Sequence, residues 1–130
     1  MAHNDIKIGQ SGKPVDAVGG IKLAGSQLFD TNGILTLIGT PQTLSGAGAV
    51  NLTTSITWLV TTGANALTLA DGKEGQVKVI IMKTDGGAGT LTPTSLGNGT
   101  TITFDDVGDS ALLIFTNSAW HFMGGTATLA

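Results

Sequence analysis

The sequence predicts an all-β protein: an antiparallel β-sandwich or barrel preceded by an extended N-terminal arm. Gly and Thr supply twenty residues each of the 130. Thr is stiff at χ1 and fits a pleated surface, while Gly supplies the positive φ of tight turns. From about residue 43 onward, short apolar–polar alternations recur between turn residues, at the roughly 8–12-residue spacing of sandwiches and barrels. No stretch of about ten residues carries the 3.6-residue period of an amphipathic helix.

Residues 1–40 differ from the rest. Seven glycines from Gly9 to Gly39, with Pro14 and Pro41, keep the apolar stretches short. Ile6 with Ile8, Ile21 with Leu23, and Leu35 with Leu37 are spaced at i and i+2, the spacing of an extended chain. An arm that docks on a neighbour through Ile6, Ile8, Ile21 and Leu23 fits this pattern. The alternative is a set of short edge strands, with Ile34 to Ile38 the best candidate.

Residues 41–130 read as the β-domain. Thr54 to Thr61 alternates, with Ile56, Trp58 and Val60 on one face. Ala66 to Leu69 is a short strand running into the Asp71-Gly72 turn. Gln76 to Thr84 is the strongest strand: Val77, Val79 and Ile81 share one face, and Ile80 and Met82 make the other partly apolar. Such two-faced apolarity marks a central strand or one covered by a second subunit, so these five residues are the candidate subunit interface. Thr90 to Thr94 and Thr100 to Phe104 follow, and Pro93 assigns the first of them to an edge. Asp109 to Thr116 and Ala119 to Gly124 form a hairpin about Asn117-Ser118, and Thr126 to Ala130 is a last strand. A faint echo between Thr53–Trp58 and Thr100–Phe104, and between the Leu-Thr-Leu runs at 35–37 and 67–69, has no fixed period.

Composition narrows the function. The chain is 41% apolar and only 12% charged, against about 25% charged in average soluble domains. A small domain with so few charges is best explained by a surface covered in an oligomer. A formal charge of −3 with six scattered Lys and no Arg argues against nucleic acid. The absence of Cys excludes disulfides and thiolate metal sites. The first residues lack the basic and apolar regions of a signal peptide, and the longest apolar run, Ala111 to Phe115, is far short of the ~20 residues that span a bilayer. A protein made in the cytoplasm, without a membrane partner, is expected.

Reactive chemistry is sparse. Asp105, Asp106 and Asp109 cluster in one loop, and three carboxylates are the beginning of a calcium site; a solvated turn explains them better. Asp30-Thr31-Asn32-Gly33 opens like a calcium loop but lacks the downstream Glu. Asp71-Gly72-Lys73-Glu74-Gly75 reads as a turn with a charge pair. Asp85-Gly86-Gly87-Ala88-Gly89 is glycine-rich but joins two strands, lacks the P-loop Lys and opens no helix. His3 and His121 are the only imidazoles, and no Gly-x-Ser-x-Gly elbow is present. Trp58 and Trp120 suit core packing, or sugar stacking if exposed. No catalytic, cofactor or metal residue is assigned.

The run Leu67-Thr68-Leu69-Ala70-Asp71-Gly72-Lys73-Glu74-Gly75-Gln76, the run Met82-Lys83-Thr84-Asp85-Gly86-Gly87 and the closing Asn117-Ser118-Ala119-Trp120-His121 resemble small virion surface proteins of tailed bacteriophages. These are head-decoration or cement proteins, with similarity to the β-rich tips of fibres. The resemblance spans Leu44 to Ala130 and implies a trimer-forming β-domain displayed on a particle, with the major capsid protein as partner. A fibre normally needs a shaft or anchoring domain, for which 130 residues leave no room. Capsid decoration is therefore the first expectation, a short receptor-binding fibre or spike the second, and a lectin-like sugar-binding domain the third.

Overall fold

The computed structural model describes residues 21–23, 26–29, 37 and 39–130, and the chain divides into two units, Met1–Ile38 and Gly39–Ala130. In the first, β1 (Ile21–Leu23) and β2 (Ser26–Phe29) pair antiparallel as a two-stranded sheet. Ile21 and Leu23 thus lie on a strand, as their spacing predicts. That strand belongs to a hairpin, so the expected extended arm turns back on itself here. Ile6 and Ile8 lie outside the described residues, as does most of the Ile34–Ile38 segment.

The second unit holds β3 (Gln42–Ser45), β4 (Gly48–Val50), β5 (Ile56–Val60), β6 (Asn65–Leu69), β7 (Val77–Thr84), β8 (Gly89–Pro93), β9 (Ile102–Phe104), β10 (Ser110–Thr116), β11 (Ala119–Gly125) and β12 (Thr128–Leu129). They form two five-stranded sheets, β11-β10-β7-β5-β3 and β12-β9-β8-β6-β4. One continuous core lies between them, built from residues of both sheets, among them Leu59, Ile80 and Leu113 of the first and Leu67, Leu91 and Phe104 of the second. No helix is present among the described residues, and the sheets do not close into a barrel.

The all-β expectation is met, but the antiparallel one needs correction. β3, β5 and β7 run parallel, and so do β4, β6 and β8. From β3 to β8 successive strands fall in opposite sheets, so residues 42–93 wind as stacked rungs of a flattened coil. Only β9 to β12 pair antiparallel, each with a strand already laid down or with one another. The turns between β3 and β8 carry the chain across the sandwich. The rungs are unequal: Gln42, Thr57 and Ile80 stand in register in one sheet, and Gly48, Leu67 and Leu91 in the other. That inequality leaves the sequence without a fixed period.

Pro93 also needs correction. Its strand β8 lies between β9 and β6. The ring is tolerated because Pro93 is the last residue of β8, and β9 pairs only with Gly89 to Leu91. No donor is missed at Pro93 on that side.

Stacked rungs bring turn against turn. The β7–β8 turn lies on the β5–β6 turn, with Gly86 N–H donating to Thr61 Oγ1 (3.0 Å) and Asn65 N–H to Ala88 O (2.9 Å). A Cβ on Gly86 would stand 2.5 Å from Thr61 O, and one on Gly87, whose φ is +139°, would stand 2.6 Å from the Gly63 carbonyl carbon. The glycine-rich run 85–89 is therefore a close backbone approach. The β10–β11 hairpin turns as expected on Asn117 (φ 51°) and Ser118 (φ 62°), the double left-handed turn that suits twisted strands.

The exposed edge of the first sheet, β11, is covered by the chain that links β8 to β9. Trp120 N–H donates to Ser95 O (2.9 Å), Gly97 N–H to Trp120 O (2.8 Å), and the Asn98 amide exchanges two hydrogen bonds with the backbone of Phe122. This loop removes an edge that would otherwise template pairing with another chain.

Gly87→Ala should cost on the order of 2 kcal/mol or more, since backbone cannot retreat as a side chain can. In a unit of this size that lowers the midpoint of thermal unfolding by roughly 10 °C. Gly108→Ala shares a positive φ (+96°) but meets nothing within 4 Å, so it should cost about 1 kcal/mol. Thermal unfolding followed by circular dichroism separates the two; equal losses would refute the stacking account.

Candidate functional site

Period-two alternation decides which side chains of the first sheet look outward. On β5, Thr57 and Leu59 are buried while Ile56, Trp58 and Val60 are half-buried on the outer face. On β7, Lys78, Ile80 and Met82 point into the core, and Val77, Val79 and Ile81 point out. On β10, Ala111, Leu113 and Phe115 point in, with Leu112 exposed and Ile114 half-buried outside.

Register arranges these outward residues in rows. Thr43, Trp58, Ile81 and Ser110 stand side by side across β3, β5, β7 and β10. Ile56, Val79 and Leu112 form the next row, and Val77, Ile114 and His121 the one after it. The centre of this face is wholly apolar, and Leu112 is 44% exposed. Lys83 stands at its border with Nζ 4.5 Å from the centre of the Trp58 ring, a cation–π contact.

The outer face of the second sheet differs. Thr128, Thr103, Thr90 and Ala66 form one row, and Thr92, Thr68 and Ala49 another. It is neutral and threonine-lined, a surface that water wets readily.

The five candidate interface residues therefore separate. Val77, Val79 and Ile81 belong to the outer face. Ile80 and Met82, at 0% and 1% exposure, are core residues of their own chain and are corrected accordingly. The tryptophans also separate. Trp120 is fully buried, edge-on to Phe115 (5.3 Å, 72°), with Nε1 donating to Ala70 O (2.8 Å). Trp58 is on the outer face, against the expectation of core packing. Of the proposed docking residues, the side chains of Ile21 and Leu23 lie outside the described set, as do Ile6 and Ile8 entirely.

Polar side chains are mostly engaged in closing loops. Asp109 Oδ2 accepts from the N–H groups of Asp105 (2.8 Å) and Asp106 (3.1 Å), and these bonds hold its carboxyl below the usual range. The acidic cluster is a turn tied by its own last member. Glu74 accepts from Thr116 Oγ1 and from Asn117 N–H (3.2 Å), so the only Glu of the chain secures the β10–β11 turn. The expected charge-pair turn thus has a structural job. Gln76 braces the same segment, accepting from Lys73 N–H (3.0 Å) and donating to Leu52 O (2.9 Å). Between Leu52 and residues 71–76 lies an open depression of about 570 Å³. His121 Nε2 lies 3.2 Å from Thr116 O. Among the described residues no three His, Cys, Asp or Glu side chains are grouped to hold a metal.

Sequence reading missed Lys78. Its side chain is fully buried between the sheets, where Nζ donates to Thr54 O (2.6 Å) and lies 3.4 Å from both Asn51 Oδ1 and Thr54 Oγ1. Asn51 Oδ1 in turn accepts from Thr54 N–H (3.1 Å) and Thr54 Oγ1 (2.9 Å). Neutral oxygens satisfy the amine but supply no opposite charge, so burial lowers its pKa from 10.5 to about 8. The available signal was a single Lys inside the otherwise apolar run Val77 to Met82.

No protein-family model matches this chain, and no curated protein matches it.

The Lys78 amine makes stability depend on pH. Its folded pKa is depressed, so between pH 8 and 10.5 the unfolded chain holds the proton more tightly. Stability must rise with pH through that window, by up to about 3 kcal/mol. With no Tyr or Cys, only amines titrate there. Urea unfolding at a series of pH values should show this rise in the native sequence and a nearly flat profile in Lys78→Met. A profile falling with pH, or one unchanged in Lys78→Met, contradicts the assignment.

Proposed function

We propose that this chain is a non-enzymatic virion structural protein of a tailed bacteriophage, a decoration or cement protein that docks on the head shell and stabilises it. In this reading it is made in the host cytoplasm, assembles as a homotrimer, and takes the major capsid protein as its partner. The observation that carries the reading is the contrast between the two outer faces of one β-sandwich. One face is apolar and asks for cover; the other is neutral and threonine-lined, fit for display to water. The polar groups that chemistry would need are spent on closing loops. The phage-like runs at 67–76 and 82–87 fall at the ends of β6 and β7 and in the turns that follow them. The N-terminal unit, Met1–Ile38, supplies the part that lies on the capsid.

A second reading, host recognition by a short fibre or spike, gains support from Trp58. An aromatic ring on a flat outer face is a platform on which a sugar ring stacks. Trp120 is sealed in the core and offers no such platform.

A decoration protein stabilises the assembled state it binds, by mass action. Mixing the purified protein with bare capsids should raise their resistance to heat or chelators, and a chain lacking residues 1–38 should keep its β-sandwich but no longer dock. Binding to cells or polysaccharide with no binding to capsids would reject decoration in favour of the second reading, and Trp58→Ala should then abolish binding. Docking by the truncated chain would remove the role given to the N-terminal unit while leaving decoration in place.

A further inference from the structure

We propose that the outer face of β5, β7 and β10 is where copies of this chain meet, with Ile56, Val79, Ile81 and Leu112 at the centre of the contact and Trp58 at its border beneath Lys83. This deepens the self-association named above by giving it a surface, and it stands whether or not the particle is a capsid.

The occupant is a second copy for three reasons. The first is charge. The centre of the face carries no ionisable side chain, and Lys83 at its border is turned over Trp58. Two such faces come together without stranding a buried charge, whereas a partner chosen by charge would find nothing to read.

The second reason is size. The five strands of this sheet, about 4.8 Å apart and four to eight residues long, make a plate roughly 24 Å by 20 Å. Two such plates remove on the order of 1,000 Å² from water, the area at which specific interfaces begin.

The third reason is shape. The rows Trp58–Ile81 and Ile56–Val79–Leu112 are set by backbone register on three adjacent strands. The face is therefore formed before contact, and association orders little that is not already ordered. Trp58 has the large rigid side chain typical of residues that dominate an interface. Copies meet either face to face in pairs or around a threefold axis, and both arrangements cover the same residues.

Sedimentation velocity on the full chain tests this. The native sequence should be oligomeric at micromolar concentration. Leu112→Asp and Val79→Lys place a charge at the centre of the contact and should weaken association by about two orders of magnitude. Both positions face outward, so the variants should retain the native circular dichroism spectrum. Thr68→Asp, on the outer face of the other sheet, should leave the assembly intact. Trp58 emission should shift to longer wavelength as the native oligomer is diluted, while buried Trp120 contributes a constant background. A native chain that is monomeric, as it would be if its own N-terminal unit or a different protein covered the face, overturns the proposal. So does an oligomer that survives Leu112→Asp and Val79→Lys but dissociates in Thr68→Asp. The decoration reading fails separately: an oligomer dissolved by Leu112→Asp that ignores capsids sinks decoration alone, and a monomer that docks on capsids sinks this inference alone.

Discussion

The crossing of each rung from one sheet to the other constrains everything else in the β-unit. A chain that alternates sheets must place its turns directly on one another, because rungs in register have turns in register. Backbone then meets backbone at about van der Waals distance, and Gly86 and Gly87 stand against Thr61 and Gly63 with no space for a Cβ. The composition follows from this geometry. Glycine fills the crossings, threonine fills most outward positions of the second sheet, and few positions remain where a charged side chain is needed.

The same geometry explains the use made of the polar residues present. A turn cannot satisfy all of its backbone groups by ladder pairing, so side chains complete the set. Asp109 closes 105–109, Glu74 secures 116–117, and Asn98 ties the β8–β9 loop to the edge of β11. Lys78 is the costliest case, since its amine reaches from inside the sandwich to the 51–54 loop and receives only neutral oxygens. Burying a cation without an opposite charge is tolerated only when its donors are met. Its depressed pKa measures what remains unpaid by those bonds.

Strand positions were legible in the sequence because alternation is local. β5, β7, β10 and β11 fall where Thr54–Thr61, Gln76–Thr84, Asp109–Thr116 and Ala119–Gly124 alternate, and Asn117-Ser118 turns as read. β3 and β4 went unread because Gln42–Ser45 and Gly48–Val50 are too short and too poor in β-branched residues to show a period. Strand partners were not legible at all. Spacing between strands is the same whether the next strand lies beside the last or across the sandwich, so parallel stacking looked antiparallel. Alternation also states which residues share a face without stating which face is inside. That ambiguity put Trp58 in the core and joined Ile80 and Met82 to an interface, when the inward set of β5 and β7 is Thr57, Leu59, Lys78, Ile80 and Met82. The inward set even contains the more polar members, Thr57 and Lys78, which is why hydrophobicity alone pointed the wrong way.

An outward face more apolar than parts of the inward one is the reverse of what a solitary sandwich selects. In a monomer, exchanging Val79 or Leu112 for Thr would cost little folding energy, since both side chains already meet water, and the second sheet shows that threonine suits such positions. Keeping isoleucine, valine, leucine and tryptophan there carries an aggregation risk that the covered β11 edge shows the fold otherwise avoids. The two faces share the rungs of β3 to β8 and follow the same alternation. The fold therefore requires neither character, and the contrast between the faces is what the proposed self-association rests on.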